Sequence, residues 1–551
     1  MLTPPPALLQ DLNAARVMVS RLQGELTQRD AQLRERDARL SEFDAWRLQS
    51  DARLLDIDVR LAGKDREIAF KQAVIDKLTH ELATLKRIQY GKKSEQLSGA
   101  QATLWQETSA ADLAAIEVEL TGLRGAVSQP DPERNVPRRM RLPENLPRVE
   151  IRHDPDSTDC ACGCQMKHIG DDVSEKLDYA PGAFTVERHI RPKWVCGHCE
   201  TVRMAPMPAQ VIDKGIATAG LLAFILVSKF ADHLPLYRLE GILGRAGAAI
   251  PQSTLGEWVG VCGVRLMPLV QALKQEILTQ QILHADETTI RMLDPGAGKT
   301  KTCYLWAYTP TQYSDLKAVV YDFTLSRAGA NCREFLGDWT GGLLTDDYSG
   351  YKALYRGGIT EYGCMAHARR KFFDLHANHK SHIAKEALES FGALYGVERE
   401  AKDLPPDQRL RLRQEKAQPL ADTLRQWLIS QRQLVPDGSG TAKAIDYSLN
   451  RWVALTRYLD DGNVPIDNNW AENQVRGWAV GRKNWLFAGS PRAGERAAAI
   501  MSLIVSARLN GHDPYAYLKD VLTRLPTQKN SQIAELLPHR WQAASAARAN
   551  A

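Results

Sequence analysis

The chain has 551 residues and carries 71 Lys and Arg against 66 Asp and Glu, a net charge of only +5. Such a length exceeds one hydrophobic core and implies several domains of about 150 residues, while so even a charge balance neither demands nor excludes nucleic acid and leaves the decision to local clustering. The longest apolar run, Ala219 to Val227, is well short of the ~20 residues of a membrane span, and the N-terminus lacks a basic segment leading into an apolar one, so a cytoplasmic protein without membrane contact is expected.

Residues 1–98 read as one long helix. Leu26, Leu33, Leu40, Leu54, Leu61, Ile68, Ile75 and Leu82 fall on a seven-residue repeat interrupted only at Arg47. That is a coiled-coil pattern through which copies of the chain would form a homo-oligomer. Lys64 and Lys71 break the companion seam, so a long amphipathic helix packed on its own protein is the alternative.

Residues 99–150 are read as a basic, proline-rich linker in which Pro130, Pro132, Pro137, Pro143 and Pro147 exclude helix. Interleaved Arg134, Arg138, Arg139, Arg141 and Arg148 could grip phosphates or simply remain solvated.

Residues 151–210 hold five of the nine cysteines. In a reducing compartment this clustering points to metal rather than disulfides. Structural Zn2+ takes four soft ligands, commonly from two short cysteine knuckles. Cys196 and Cys199 make one knuckle, and the other draws two ligands from Cys160, Cys162 and Cys164, whose spacing is irregular. The alternative is a degenerate knuckle without metal; His168 and His198 are read as bystanders.

Residues 211–278 look helical, with helices over Ala219 to Phe230, Leu234 to Ala246 and, after the Gly247 turn, Gln252 to Val264. In a helix-turn-helix, Gln252, Ser253 and Thr254 at the start of the later helix would reach base edges. Any three-helix bundle has the same spacing.

The pattern then turns to strands: Gln281 to Asp286, Thr302 to Tyr308 and Lys317 to Phe323, a helix over Ala328 to Leu336, and Gly342 to Thr345 ending at Asp346. Three strands, a helix and a fourth strand open a multidomain α/β chain's ribonuclease H-like domain, in which strands one and four lie side by side and Asp286 and Asp346 could share a metal pair. The third acid is expected from a helix that starts near Asn468 and Asn469, where Glu472 and Arg476 share one face. The catalytic core is therefore placed at 279–374 and 463–500, split by a helical insertion at 375–462 and followed by a helical tail at 501–551. Asp286, Asp346 and Glu472 suit two Mg2+ (or Mn2+) ions about 4 Å apart, which stabilise both attacking and leaving oxygens of an in-line phosphoryl displacement. Arg369, Arg370, Lys371, Arg476, Arg482 and Lys483, with Arg492 and Arg496, would offset DNA charge around the acids. A lone strand-end aspartate is more often a cap or salt-bridge partner, Asp347 could exchange roles with Asp346, and His284 and His367 read first as packed histidines and only second as ligands or bases.

At these residues the chain resembles the DDE transposases of the insertion sequence sixty-six family, specifically the large transposase subunit. The likeness covers nearly the whole chain: YGKKSEQL after the zipper, DDVSEKLDYAPGAFTVERHIRPKWVCGHCE, HADET, TDDYSGY, GCMAHARRKFFD and DNNWAENQVRGWAVGRKNWLFAGS. It implies Asp286, Asp346 and Glu472 as the triad, magnesium as cofactor, and the terminal inverted repeats of a mobile element and target DNA as partners. It also implies small accessory proteins of the same element and association with the nucleoid when DNA is bound. The chain departs from the family in its first cysteine knuckle and in having Asp347 where Gly is usual. Two other functions compete with metal-dependent cleavage and strand transfer: a catalytically inert, sequence-specific DNA-binding protein, and a ribonuclease H-like nuclease without strand transfer.

Overall fold

A computed structural model of the chain describes residues 6–90, 99–124, 142, 144, 146–180, 182–294, 299–379, 381–485 and 487–543. The linker residues Pro130, Pro132, Pro137, Pro143, Arg134, Arg138, Arg139 and Arg141 lie outside that set, as do the side chains of Leu26 and Leu33. The fold is mixed α/β and divides into two units, residues 1–81 and 82–551. No helix among the described residues is long and apolar enough to cross a membrane.

The first unit's regular structure is part of helix α1 (Pro6–Tyr90). Its repeat leaves Leu40, Leu54, Leu61 and Ile68 each more than half exposed.

The second unit begins its compact part with α2 (Gly99–Arg124), which lies against α5 (Gln252–Leu278), so the first half of the span expected as a linker is a packed helix, its Ala111, Ala115 and Ile116 buried. The approach is close enough that a Cβ on Gly260 would sit 2.2 Å from the Ala111 carbonyl oxygen, so only glycine fits there. Next comes a small sheet of order β1-β3-β2, with β4 added to β3. Its strands are β1 (Arg148–Arg152), β2 (Met166–Ala180), β3 (Ala183–Cys196) and β4 (Val202–Met204). Arg148, expected in the basic linker, instead donates to Glu175 across this sheet at 3.0 Å.

Helices α3 (Ala219–Leu226) and α4 (Leu236–Arg245) then lead into α5. The third helix of the expected trio continues from Val264 to Leu278, carried through Pro268 by a buried face that includes Leu266, Leu269, Leu273 and Ile277. Gln252 and Thr254 are half-buried and Ser253 is exposed at its first turn.

A second sheet has the order β7-β6-β5-β8-β9. The antiparallel strands are β5 (Ile282–Met292), β6 (Lys301–Pro310) and β7 (Val320–Thr324); β8 (Gly342–Thr345) and β9 (Thr360–Gly363) run parallel to β5. Helix α6 (Gly329–Leu336) and the short α7 (Lys352–Arg356) connect them. Alternation along β6 sends Trp306 and Tyr308 into a core shared with α3 to α6, and Cys303, Leu305 and Ala307 into one shared with the later helices.

After α8 (Met365–His379) come α9 (His382–Ala401), α10 (Pro406–Leu412), α11 (Gln418–Leu434), α12 (Gly440–Asn450) and α13 (Trp452–Thr456), with their own apolar core around Phe372, Phe391, Leu424 and Ile445. The chain returns to the sheet with α14 (Asn469–Trp485) and α15 (Pro491–Leu509) and finishes on α16 (Pro514–Arg524). On α15, Ser502 and Ser506 accept the Tyr321 and Val319 backbone N–H groups at 2.9 Å, satisfying the outer edge of β7.

Inside the helical insertion, Arg413 is fully buried and forms a two-pronged pair with Glu398 at 2.8 and 2.6 Å, its remaining nitrogen donating to the Tyr458 and Asp461 carbonyls. Arg413→Ala strands the Glu398 charge and should cost about 3–5 kcal/mol, read as a drop in urea midpoint. A double change of both residues to Met and Leu should recover most of that loss.

Candidate active site and cysteine cluster

The parallel register of β5 and β8 pairs Ile282 with Gly342 and His284 with Leu344, a constant offset of 60. Continued by two residues it sets Asp286 opposite Asp346, since 346 − 286 = 60. Asp286 is not at the end of its strand as expected, because β5 runs on to Met292 with β6 as partner; it is the shorter β8 that stops and leaves that edge of β5 free for side chains to meet.

Glu472 arrives from the first turn of α14, and a buried asparagine fixes the approach. Asn468 Oδ1 accepts from His284 Nδ1 at 2.7 Å, its Nδ2 donates to the Ala285 carbonyl at 2.9 Å, and its backbone N–H donates to Cys364 Sγ at 3.2 Å. One side chain thereby ties the start of α14 to β5 beside Asp286. His284 is a packed residue: burial holds its imidazole down to about 4, leaving it neutral.

The three acids share one electrostatic environment. Burial first, then the charges of Glu287, Glu472 and Asp346, pushes the Asp286 carboxyl from 3.8 up to about 8. Glu287 is itself neutralised by Arg327 and accepts from Tyr351 at 2.9 Å. Asp347 is bound by Arg451, which also holds Glu361 at 2.8 Å, so of the adjacent pair Asp347 is spent on a salt bridge. Asp346 accepts the Tyr348 backbone N–H at 3.0 Å. Glu472 Oε1 is buried without a hydrogen-bond partner. Carboxylates are the donors that hard divalent cations take, and here Asp346 and Glu472 lie near enough for their charges to act on Asp286, but the three are not among the groups whose ligand atoms all fall within 4.8 Å of one another.

A raised aspartate carries a stability penalty that is absent below its unfolded value near 4, grows as pH rises, and is complete above about 8. The metal-free protein should therefore lose a few kcal/mol between those limits through this group. Asp286→Asn should melt a few degrees higher than the parent at pH 8 and no higher at pH 4; equal melting at pH 8 would contradict the crowding.

An open cleft of about 630 Å³ beside Asp346 is lined by Arg327, Asp346, Asp347, His367, Arg370 and Lys371 among others. Arg369, Arg476 and Lys483 are exposed, whereas Arg482 is turned onto β5, donating to the Thr289 carbonyl at 2.8 Å. Arg492 and Arg496, read from the sequence as phosphate contacts, pair with Glu119 at 2.8 Å and, buried, with Asp112 at 2.7 Å; both hold α2 to α15. Asn468, Glu287, Arg327 and Arg451 were not singled out in the sequence, and only the Asn-Asn pair before α14 offered a signal.

In the small sheet, Cys160, Cys162, Cys196 and Cys199 place their sulfurs within 4.8 Å of one another. Cys160 meets Cys199 at 3.1 Å and Cys162 meets Cys196 at 3.5 Å. Cys164 stays outside this group and uses its carbonyl to accept the Cys160 N–H at 2.8 Å. The Thr201 hydroxyl, with Cys160 next, holds the Cys199 thiol down to about 6, toward the thiolate that a metal needs. This cluster supports a structural zinc.

Four family models match consecutive parts of the chain, and each describes a piece of a transposase. They are "Transposase C of IS166 homeodomain" over residues 77–151, "zinc-finger binding domain of transposase IS66" over 157–200, "Transposase IS66 family" over 214–496 and "IS66 C-terminal element" over 502–539. The homeodomain description falls on a stretch read from the sequence as the end of the zipper and a linker. Among relatives, the uncharacterized proteins y4jD and y4qI of Sinorhizobium fredii are 37% and 36% identical, each over 85% of this chain and over 94% and 89% of their own lengths. The chain belongs to the IS66 transposase family.

Proposed function

We propose that this transposase binds the terminal inverted repeats of its element and cuts and rejoins DNA through Asp286, Asp346 and Glu472. The observation that carries the reading is electrostatic: after burial, the charges of Glu287, of Glu472 on α14 and of Asp346 after β8 raise the proton affinity of Asp286 on β5, which lies 186 residues before Glu472 in the chain (472 − 286). Solvated acids would have no such effect. A ribonuclease H-like core fits the sheet order, three antiparallel strands followed by two parallel to the first, with α14 supplying the last acid. The limits expected from the sequence, a core at 279–374 and 463–500 around an insertion at 375–462, belong to this proposal, although they cut α8 (Met365–His379) and α15 (Pro491–Leu509).

The three carboxylates would hold two Mg2+ or Mn2+ ions, whose chemistry is Lewis-acid stabilisation of the attacking and leaving oxygens in an in-line displacement. The chain's own residues do the rest. Asn468 and His284 orient α14, Arg327 offsets part of the Glu287 charge that acts on Asp286, and Arg451 holds Asp347 in a salt bridge. Arg370 and Lys371, on the cleft wall, receive DNA phosphates, with Arg369, Arg476 and Lys483 as exposed outer contacts and Arg482 a positioning group. Gln252, Ser253 and Thr254 at the start of α5 are the base-reading candidates. The exposed leucine row of α1 pairs copies of the chain, bringing two element ends together, and accessory proteins of the element assist.

Removing one cation–phosphate interaction reduces the salt dependence of DNA binding by a slope of about 0.9 in log K against log salt. Arg370→Ala with Lys371→Ala should flatten that slope by nearly two while lowering affinity for all sequences alike. An unchanged slope, measured by binding to a labelled element end across a salt series, would remove both residues from the DNA path.

A further inference from the structure

The residue before α8 and its first turn set a different group of ligands against Glu472. Cys364 and His367 are three residues apart, on one side of the turn, and the thiol, imidazole and Glu472 carboxylate bring one ligand atom each within 4.8 Å of the others. His367 Nδ1 lies 3.7 Å from Glu472 Oε1, and both atoms are buried without a hydrogen-bond partner. Cys364 is 1% exposed, its sulfur oriented by the Asn468 N–H. Two buried polar atoms that face each other unpaired beside a sulfur describe a site awaiting something between them.

The chemistry of the set selects the occupant. Mg2+ takes oxygen ligands, whereas sulfur, nitrogen and one carboxylate oxygen are a zinc set. Tetrahedral zinc with ligands at about 2.0–2.3 Å spaces them about 3.3–3.8 Å apart. The His367–Glu472 separation already meets that spacing, and since no pair is wider than 4.8 Å the others need to close by at most about 1.5 Å. His367 also lines the open cleft, so an ion has a way in and water can take the fourth position.

We propose that Cys364, His367 and Glu472 form a second metal site, selective for zinc over magnesium, and that zinc there draws Glu472 away from the catalytic acids and holds the enzyme off. Only the inhibition rests on Glu472 serving catalysis; the binding stands on the ligand geometry. Coordination replaces the Cys364 S–H bond with a sulfur–zinc bond and releases one proton to solvent, with no change of oxidation state.

The test uses the full chain with its four-cysteine zinc in place. Equilibrium dialysis against Zn2+ should find a second equivalent, and Cys364→Ser and Cys364→Ala should each weaken that second ion at least about 100-fold while retaining the first, since losing even an outer partner of a ligand costs 10–100-fold. Co2+ added to the zinc-loaded protein should give a thiolate charge-transfer band that both variants lack. With Mg2+, Cys364→Ser, whose hydroxyl can still accept the Asn468 N–H, should nick element ends at the parent rate and resist zinc that stops the parent. A single equivalent in the parent, or a second equivalent kept by both variants, overturns the site. A second ion that leaves magnesium-dependent nicking untouched overturns the inhibition. Absence of nicking in every protein, with the second equivalent still bound, counts against the catalytic reading and leaves the site standing.

Discussion

Glu472→Gln should reduce nicking of element ends by at least about 10³-fold, the loss expected when several kcal/mol of metal-centred stabilisation disappear. The substitution is nearly isosteric and removes only charge. The helix that carries it stays anchored, because Asn468 rather than Glu472 makes the contacts to His284 and Ala285. Folding and end binding should therefore survive, and gel-shift affinity within about threefold of the parent is the expected control, less than 1 kcal/mol. Removing one neighbouring charge also lets the Asp286 carboxyl relax toward its ordinary range, since Glu472 is among the groups holding it up at about 8. Equal nicking by parent and variant would take Glu472 out of the acid group, and loss of binding together with nicking would mean that the change had damaged the fold.

Removing zinc from the cysteine cluster should have the largest structural effect. Apolar support there is minimal, with Cys160, Met166 and Cys196 buried together and Cys164 and Trp194 packed alongside. A core of that size does not hold a loop unaided, and a structural zinc supplies about 10–16 kcal/mol of apparent binding energy to small modules of this type. Cys160→Ser, Cys162→Ser, Cys196→Ser and Cys199→Ser should each release the ion and open the distal end of the β2–β3 hairpin to protease, while the second unit's main sheet keeps its melting transition. Cys164→Ser should retain one zinc per chain, because its sulfur stands outside the group of four. Loss of zinc in Cys164→Ser with retention in Cys162→Ser would reverse the assignment.

Much of the catalytic region was legible because its strands are short apolar runs bounded by turns, and that local pattern survives into β5, β6, β7 and β8 with limits shifted by a few residues. The helical insertion was legible because the gap between Asp346 and Glu472 is larger than a connection requires and is filled by helix-like stretches such as Lys385 to Tyr395 and Pro406 to Ser430. Long-range pairing left no local trace. Arg492 and Arg496 read as basic surface, yet their partners Glu119 and Asp112 lie more than 370 residues earlier in the chain, and a charge run cannot show that it is already neutralised. Asp347 looks interchangeable with Asp346 until the fold brings Arg451, 104 residues away, onto it. The choice among Cys160, Cys162 and Cys164 likewise depends on which sulfurs a tight turn points toward the β3 knuckle, and spacing alone does not encode that direction.

The most direct measurement is incubation of the full chain with an end-labelled element terminus and Mg2+, resolving nicked and joined strands on a denaturing gel. Convergent carboxylates acting on DNA should yield a cut at the element boundary and, with target DNA present, covalently joined product, both absent with Asp286→Asn. Tight binding of the terminus with no strand broken in either Mg2+ or Mn2+ would contradict the catalytic role and leave a protein that only holds DNA.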